Sequence, residues 1–342
     1  MYGASNSSSN KEPKESNSYN INDNNETKKF LKSSSNTRDL IANTTKFASN
    51  FIHNNRLGDF ILGSNAAISS GEKNELKVGL WSKILLNKGW LLEGKSYNIL
   101  GSGFSVGFDY RVLNNAILGS FLSFSSSKII RDKNEENLNC ALMGIYGKLE
   151  LYKNLSIDLV FGGNRAKITN ISDLTNSNDP LVSWFLDFRS KYLIHLNKYN
   201  KIIPTLGYRT NSKQMFACND GMNVYTIDRP TYHSFIIGSN WVSNVYTSEK
   251  FDVSTNVHFF YEQSIINKKP IIITSNNTSN NSSTTSVLSL NELTLSGNDL
   301  INLGFSATAN FFYNQHIALG LDWQHKKDYD NLMFKAKFII NL

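Results

Sequence analysis

Apolar and polar residues alternate along most of the chain beyond Leu76. Between residues 104 and 112, the even positions hold Phe, Val, Phe, Tyr and Val, whereas the odd positions hold small or charged residues. The segment 251–261 repeats this alternation, with mainly apolar residues at its odd positions. Successive side chains of a β-strand point to opposite faces, so the pattern predicts strands with one apolar face and one polar face.

The alternation predicts about twelve antiparallel strands. We expect them at residues 77–86, 98–112, 116–130, 138–152, 154–168, 181–196, 199–212, 231–246, 249–264, 298–312, 315–326 and 331–341. Short and long connections alternate between these strands, and the long ones are 87–97, 169–180, 213–230 and 265–297. Consecutive connections of an antiparallel sheet lie at opposite ends, so we expect all the long ones at the same end.

A membrane barrel accounts for these features together. Outer-membrane barrels have tight turns at one rim and long loops at the other, with apolar side chains toward lipid and polar side chains toward the lumen. A soluble β-sandwich or jelly roll also alternates its faces, but it predicts no difference in loop length between its ends. We therefore predict an all-β fold, an outer-membrane barrel of about twelve antiparallel strands.

One helix is predicted before the strands. Apolar residues recur at helical spacing between Leu40 and Ile52, with mainly Asn and Lys residues on the opposite side. Asn36 can cap its N-terminus and Gly58 follows its end, so we expect an amphipathic helix over 37–57. Outside the barrel, the apolar stripe would need another partner. We expect the helix in the lumen, because a barrel of about twelve strands leaves an aqueous path unless something fills it.

Two segments are too polar to form a core. Asn and Ser dominate residues 1–36, which we expect to be disordered. Residues 274–286 are all Ser, Thr or Asn, and we expect an exposed loop tip there. The expected organisation is thus a disordered segment 1–36, a helix and linker 37–60, and a barrel 61–342.

The composition excludes several classes of protein. No apolar run is long enough for a transmembrane helix, and the first 30 residues lack the apolar core of a signal peptide. Two cysteines, Cys140 and Cys218, cannot form a disulfide framework or a four-thiolate zinc site, although one disulfide and two free thiols both stay open. The net charge of +7 suits contact with anionic lipid.

The motifs that suggest chemistry do not fit their context. Gly103–Gly107 matches the nucleophile elbow of serine hydrolases, but it lies within an alternating strand and no helix follows. The six histidines show no metal-ligand spacing. No basic face interleaved with stacking aromatics indicates nucleic-acid binding. We therefore expect no enzyme activity, no cofactor and no nucleic-acid partner.

Several short segments, taken in order, resemble one known family. They are Arg56–Asp59 (RLGD) after the helix, Val78–Trp81 (VGLW) in the first strand, Gly103–Tyr110 (GFSVGFDY), Ala116–Gly119 (AILG) and an alternating final strand. Together they resemble the C-terminal β-domain, or translocator, of autotransporters, the type V secretion proteins of Gram-negative bacteria. The resemblance covers residues 37–342.

The resemblance implies an outer-membrane translocator without catalytic chemistry. In that family, a helix threads a twelve-stranded barrel and links it to an N-terminal passenger that is exported to the cell surface. Residues 37–57 would then be that helix, and 1–36 the end of a passenger. The implied partners are outer-membrane lipid and lipopolysaccharide, the barrel-assembly machinery, the chain's own passenger and, through the passenger, a host-cell surface.

Three departures from the family pattern change these expectations. Self-cleaving members carry an Asn pair where this chain has Phe51 and Ile52, so we do not expect autocleavage. Many members end on an aromatic residue, whereas this chain ends on Leu342. With no signal peptide and almost no passenger, we expect a C-terminal part of a longer protein or the product of a truncated gene.

Two groups of residues are candidate functional sites. Charges inside a membrane barrel must face water or pair. Charged residues with inward parity could therefore form a polar collar around the helix, or they could simply solvate the lumen. These residues are Asp109, Arg111, Asp187, Arg189, Arg209, Glu262 and Asp322. The final strand carries an outward apolar stripe, expected to be the assembly signal, that includes Phe334, Phe338 and Leu342.

A second hypothesis for function also stays open. The chain could be a stand-alone adhesin or a porin-like barrel that binds its ligands through the long loops. The two hypotheses differ in what precedes residue 1, since only a translocator needs a passenger there.

Overall fold

The computed structural model describes most of the predicted barrel and one helical segment. The described residues are 46, 48–57, 78–91, 97–131, 134–152, 154–170, 181–212, 214–219, 223–229, 231–248, 251–265, 271–277, 283–288, 299–311, 315–326 and 329–342. The segment predicted to be disordered, 1–36, lies outside them, as do residues 37–45 of the predicted helix. Among the described residues, no helix combines the length and the apolar character that a membrane span requires.

The fold is all-β apart from the helical segment. Its strands are β1 (Val78–Leu91), β2 (Tyr97–Leu113), β3 (Ala116–Arg131), β4 (Asn134–Glu150), β5 (Leu155–Asn170), β6 (Leu181–Tyr192), β7 (Ile194–His195), β8 (Asn200–Asn211), β9 (Gln214–Asn219), β10 (Asn223–Arg229), β11 (Tyr232–Thr247), β12 (Phe251–Ile265), β13 (Ile271–Asn277), β14 (Ser283–Leu288), β15 (Asp299–Phe311), β16 (Gln315–Lys326) and β17 (Tyr329–Asn341).

The main sheet closes into a barrel. It contains 13 strands, and all except the two-residue β7 form a closed antiparallel ring of twelve. The first strand β1 pairs with the last strand β17, from Gly79 opposite Asn341 to Leu91 opposite Tyr329. Val78 and Leu342 exchange two backbone hydrogen bonds of 3.0 and 2.7 Å, so pairing continues to the last residue. The predicted twelve-stranded antiparallel barrel is confirmed.

The longest connections between barrel strands lie at one end. Residues 171–180, 212–231 and 266–298 connect strands at what we call the long-loop end, and 114–115, 151–154 and 248–250 connect them at the short-turn end. The predicted long connection 87–97 shrinks to 92–96, because β1 and β2 both extend beyond their predicted bounds.

Each barrel strand has one exposed apolar face and one buried face. On β2, Phe104 and Phe108 are exposed, whereas Asp109 is buried. On β12, Val257 and Phe259 are exposed, while Glu262 is buried. In a closed barrel the buried side is the lumen, so the polar positions point inward, as the alternation predicts.

Several inward rings of the barrel lie over glycines of the neighbouring strand. Trp81 is paired with Gly107, and a Cβ on that glycine would lie 2.4 Å from the indole ring. Gly119 has the same relation to the Tyr146 ring, with a distance of 2.4 Å. These glycines make room for aromatic rings, which line the lumen.

Two connections predicted as loops contain a second sheet. Strands β9, β10, β13 and β14 form a four-stranded sheet in the order β14-β13-β10-β9. The polar tract 274–286 was expected to be an exposed tip, but Thr274 pairs with Thr285 in the β13–β14 ladder. Ladder hydrogen bonds use the backbone, and Thr is a good strand former, so a tract without apolar residues can extend a strand that begins with Ile271–Ile273.

Candidate functional site in the barrel lumen

A helical segment lies inside the barrel. Residues 46 and 48–57 are helical, and we call them the lumen helix. Ile52, His53 and Leu57 are buried to 1% exposure or less. The structure describes this helix as far as Leu57, and the residues that follow up to position 77 lie outside the described part of the chain. The last turn differs from the α-helix expected, because Ile52–Arg56 form a π-helical turn in which the N–H of Leu57 donates to the carbonyl of Ile52.

The lumen helix runs from the long-loop end toward the short-turn end. At its start, Lys46 Nζ lies 2.7 Å from Glu262 Oε1, close to where β12 leads into the connection 266–298. At its end, Lys148 Nζ donates to the carbonyl of Leu57 at 3.4 Å, close to where β4 enters the turn 151–154. The N-terminal end of the helix therefore faces the long loops.

Asp187 is the centre of the polar contacts between helix and wall. Ser49 Oγ donates to Asp187 Oδ2 at 2.6 Å. Arg189 Nε donates to Asp187 Oδ1 at 3.0 Å, and Arg209 Nε donates to Asp187 Oδ2 at 2.9 Å. Both guanidinium groups also donate to Asn50 Oδ1 of the helix. The buried charges are thus paired and hydrogen-bonded, as burial requires.

Arg209 extends these contacts to a third wall strand. Its Nη1 donates to Glu262 Oε2 at 2.8 Å, and Glu262 in turn pairs with Lys46 of the helix. Strands β6, β8 and β12 are therefore joined to the helix through one continuous set of ion pairs around Arg209 and Asp187.

A second group of charges surrounds His53. Its Nε2 lies 3.2 Å from Asp187 Oδ1, and its Nδ1 lies 3.6 Å from Asp158 Oδ2. Lys191 pairs with Asp158 at 2.6 Å and also donates to the backbone carbonyl of His53. Lysines at helical carbonyls near the C-terminus of a helix interact favourably with its dipole.

The opposite side of the lumen helix packs on apolar wall residues. Phe51, Ile52 and Leu57 form one buried cluster with residues of β1, β3, β4, β5, β6 and β17: Trp81, Phe121, Leu142, Tyr146, Val160, Phe185 and Ile339. Phe51 and Trp81 have ring centroids 5.4 Å apart. Apolar burial on this side and ion pairs on the other hold the helix in one orientation.

Aromatic wall residues carry hydrogen bonds behind this cluster. Trp81 Nε1 donates to Tyr146 Oη at 2.7 Å, and Tyr146 Oη donates to Asp109 Oδ2 at 2.7 Å. Asp109 therefore supports the rings that the helix packs on. Ser105, in the centre of the Gly103–Gly107 segment, donates to Ser123 Oγ at 2.8 Å.

The structure separates the candidate collar residues into two groups. Asp187, Arg189, Arg209 and Glu262 meet around the lumen helix. Of the other candidates, Asp109 accepts a hydrogen bond from Tyr146, and Asp322 pairs with Lys335 and lies 3.6 Å from His258 Nε2. Arg111 is half-buried and lies near the short-turn end.

Sequence reasoning missed several charged wall residues that touch the helix or its partners, among them Asp158, Lys191 and Lys148. Asp158, Lys191 and Lys148 are almost fully buried. Strand alternation in the sequence could have placed them inside the barrel. Lys191 has the same parity as Asp187 on β6, and Asp158 is next to the exposed Leu159 on β5.

The candidate assembly-signal residues lie on the outer face of the last strand. Phe334, Phe338 and Leu342 are all exposed, whereas inward positions of the same strand, such as Met333 and Ile339, are buried. The stripe therefore faces the side on which a barrel meets lipid.

Comparison with known proteins finds one family that resembles part of the barrel. The family model described as "Autotransporter beta-domain" matches residues 86–212. The predicted resemblance to this family is confirmed. With the resemblance, the outer-membrane location is confirmed as well.

One related sequence resembles part of this chain, and two solved structures share its fold. "Putative surface cell antigen sca1" of Rickettsia conorii is 24% identical over a 210-residue alignment, and the matched part covers 54% of this chain but only 11% of that protein. The translocator domain of the autotransporter NalP from Neisseria meningitidis covers 86% of this chain and 98% of its own, with a TM-score of 0.55 and 11% identity. The β-domain of the Bordetella autotransporter BrkA covers 78% and 100%, with a TM-score of 0.57 and 10% identity.

Proposed function

We propose that this chain anchors an N-terminal passenger in the outer membrane and exports it to the cell surface, without catalytic chemistry of its own. The proposed organisation is a passenger end at 1–36, the lumen helix with its linker at 37–60, and the barrel at 61–342. The autotransporter β-domain family supports translocation of a passenger across the outer membrane in general terms.

The direction of the lumen helix is the observation that carries this proposal. The helix ends near Lys148 at the short-turn end, where β1 also begins, since Val78 pairs with Tyr110 close to the turn 114–115. Its N-terminal end points to the long-loop end. Outer-membrane barrels place their long loops outside the cell. A chain that precedes the helix would then leave the barrel on the outside.

The contacts of the helix suit an anchor. Removing one partner from a buried ion pair leaves an unpaired charge and is strongly unfavourable. Withdrawing the helix would leave Glu262 without Lys46 and would remove Ser49 from Asp187. It would also take Asn50 from both guanidinium groups and expose the apolar surface beneath Phe51. We infer that the helix stays in the lumen after export and ties the passenger to the membrane.

The proposed partners follow from this placement. The outer surface would contact lipid and lipopolysaccharide, and the barrel-assembly machinery would read the final strand with Phe334, Phe338 and Leu342. The related Rickettsia protein is named as a surface cell antigen. By extension, we propose that the passenger of this chain faces a host-cell surface.

Surface labelling tests the proposed direction of export. The chain is expressed behind a signal peptide, with one epitope before residue 1 and, in a separate version, an epitope inserted at Lys198 in a short turn. On intact cells, antibody should reach the first epitope and should reach the second only after permeabilisation. Labelling of the Lys198 epitope alone on intact cells would refute the proposal.

A further inference from the structure

The outer wall of the barrel carries a groove on the lipid-facing side of β1 to β5. Its volume is about 840 Å³, and its lining includes Phe104, Phe124, Ser126, Ala141, Arg165 and Lys167. The groove exists because small side chains point outward between the larger apolar side chains of this face. Ser102 lies opposite Ser126, and Ser126 lies opposite Asn139, so the wall is shallow along this row.

Two basic side chains close the groove on β5. Arg165 lies opposite Ala141, and Lys167 lies opposite Asn139. Both side chains are exposed, and they share the outward parity of Leu159 and Phe161. Within the described part of the chain, neither of them has an acidic partner. By contrast, the outward Lys128 at the same rim pairs with Glu135 at 2.8 Å.

The height of these charges on the wall identifies where they meet the membrane. β5 begins at Leu155 near the short-turn end and carries exposed apolar residues up to Phe161. Ten residues of a tilted strand rise about 25 Å, which is the height of the apolar band of an outer-membrane barrel. Arg165 and Lys167 therefore lie at the upper edge of the band, on the long-loop side, where lipid headgroups begin.

We propose that this groove binds a phosphorylated glycolipid of the outer leaflet, the lipid A part of lipopolysaccharide. An acyl chain would fill the groove along Phe104 and Phe124, and the phosphate would meet Arg165 and Lys167. A guanidinium group pairs with phosphate through two parallel hydrogen bonds, and the ammonium group adds a second charge. The assignment to the outer leaflet rests on the proposed orientation, with the long loops outside.

Lipid titration of the full chain tests this site. The folded, delipidated barrel is titrated in detergent with bisphosphorylated lipid A, and binding is followed by native mass spectrometry. The variant Arg165→Gln/Lys167→Gln should weaken lipid A binding about 30-fold, because each basic residue near an anionic lipid surface contributes about fivefold. Lys198→Gln removes an exposed charge at the opposite end and should leave binding unchanged.

Further measurements distinguish lipid A from other ligands of the groove. Ser126→Phe fills the groove while keeping both charges, and it should also weaken binding of lipid A. Inorganic phosphate should not displace bound lipid A, and dephosphorylated lipid A should bind as weakly to wild type as lipid A binds to the double variant. The proposal would be overturned if wild type and the double variant bound lipid A with equal affinity. It would also be overturned if wild type bound phosphatidylglycerol as tightly as lipid A, or if inorganic phosphate alone displaced bound lipid A.

The readouts also separate this inference from the proposed function. Passenger export is read by the epitope before residue 1, which the double variant should leave exposed on intact cells. If lipid A binding is insensitive to both variants while that epitope is exposed, only the glycolipid site fails.

Discussion

Arg209 shows how a single side chain can hold several elements together. It is 1% exposed and pairs with Asp187 and Glu262 on other strands, and it also donates to Asn50 of the lumen helix. Lys128 and Glu135 form an ion pair of similar length, 2.8 Å, but both side chains are partly exposed to the outside. The buried ion pairs of Arg209 and the exposed Lys128–Glu135 pair should therefore contribute very differently to the free energy of unfolding.

We expect Arg209→Met to lower the free energy of unfolding by about 3–5 kcal/mol, because it leaves two buried carboxylates with fewer partners. Lys128→Met should change it by about 1 kcal/mol or less. Urea titrations of the refolded barrel, followed by tryptophan fluorescence, measure both values. Similar losses for the two variants would show that the lumen charges are solvated and do not anchor the helix.

Adjacent glycines on β5 offer a second comparison at the residue scale. A Cβ on Gly162 would lie 2.7 Å from the Phe185 ring and 2.8 Å from the carbonyl oxygen of Met143. On Gly163, the nearest atom would be 3.7 Å away. One position is packed under an inward ring, whereas the other faces outward with space around it.

Gly162→Ala should therefore destabilise the barrel by about 1–3 kcal/mol through overpacking. Gly163→Ala should be neutral or stabilising by up to about 1 kcal/mol, since it restricts the unfolded chain without a clash. The temperature at which the folded band is lost on unheated gels gives the order of the two variants. A larger loss from Gly163→Ala would contradict the packing described for this wall.

At this scale, strand parity placed the candidate charges inside the barrel but did not show which of them meet. Strand parity assigns Asp109, Asp187 and Asp322 to the lumen equally well. Only the closed ring shows that Asp187 faces the helix, while Asp322 lies on β16 with Lys335 from β17. Contacts between strands far apart in the chain depend on height and position around the barrel, which local alternation does not encode.

Among the elements, the wall strands were the most predictable from sequence. Lipid on one side and a lumen on the other give each strand a strict two-residue period, and short turns fix its register. The sheet of β9, β10, β13 and β14 was not predicted, because the polar tract 274–286 offers no such contrast. The π-helical turn Ile52–Arg56 was also missed, since spacing alone predicts a regular helix.

The prediction at the scale of elements concerns the last strand, β17. β17 closes the barrel against β1, with Phe338 opposite Ser82 and exposed on the outer face. Phe338→Asp puts a charge into the apolar band at a cost of about a few kcal/mol and alters the proposed assembly signal.

Outer-membrane fractions should therefore contain much less of the Phe338→Asp variant than of wild type, measured by quantitative blotting. Phe338→Leu keeps an apolar residue there and serves as the control for loss of the ring alone. Normal levels of the Asp variant would mean that this face does not meet lipid.

For the whole molecule, the barrel and its lumen helix form one unit. Twelve strands close without an unpaired edge, and the cluster around Phe51 joins the helix to six of them. A barrel of this size leaves an aqueous path unless its lumen is filled. The helix lies in the lumen, held by ion pairs on one side and apolar contacts on the other, and in the proposed function it ties the passenger to the membrane.

Conductance in planar bilayers tests this central claim most directly. The full chain is compared with a chain that begins after Phe60 and so lacks the lumen helix, with both shown to be folded by a heat-dependent shift in gel mobility. The full chain should conduct poorly, and the shortened chain should open large, stable channels. Equal conductance of the two would contradict a helix that fills the lumen, and with it the proposed route of export.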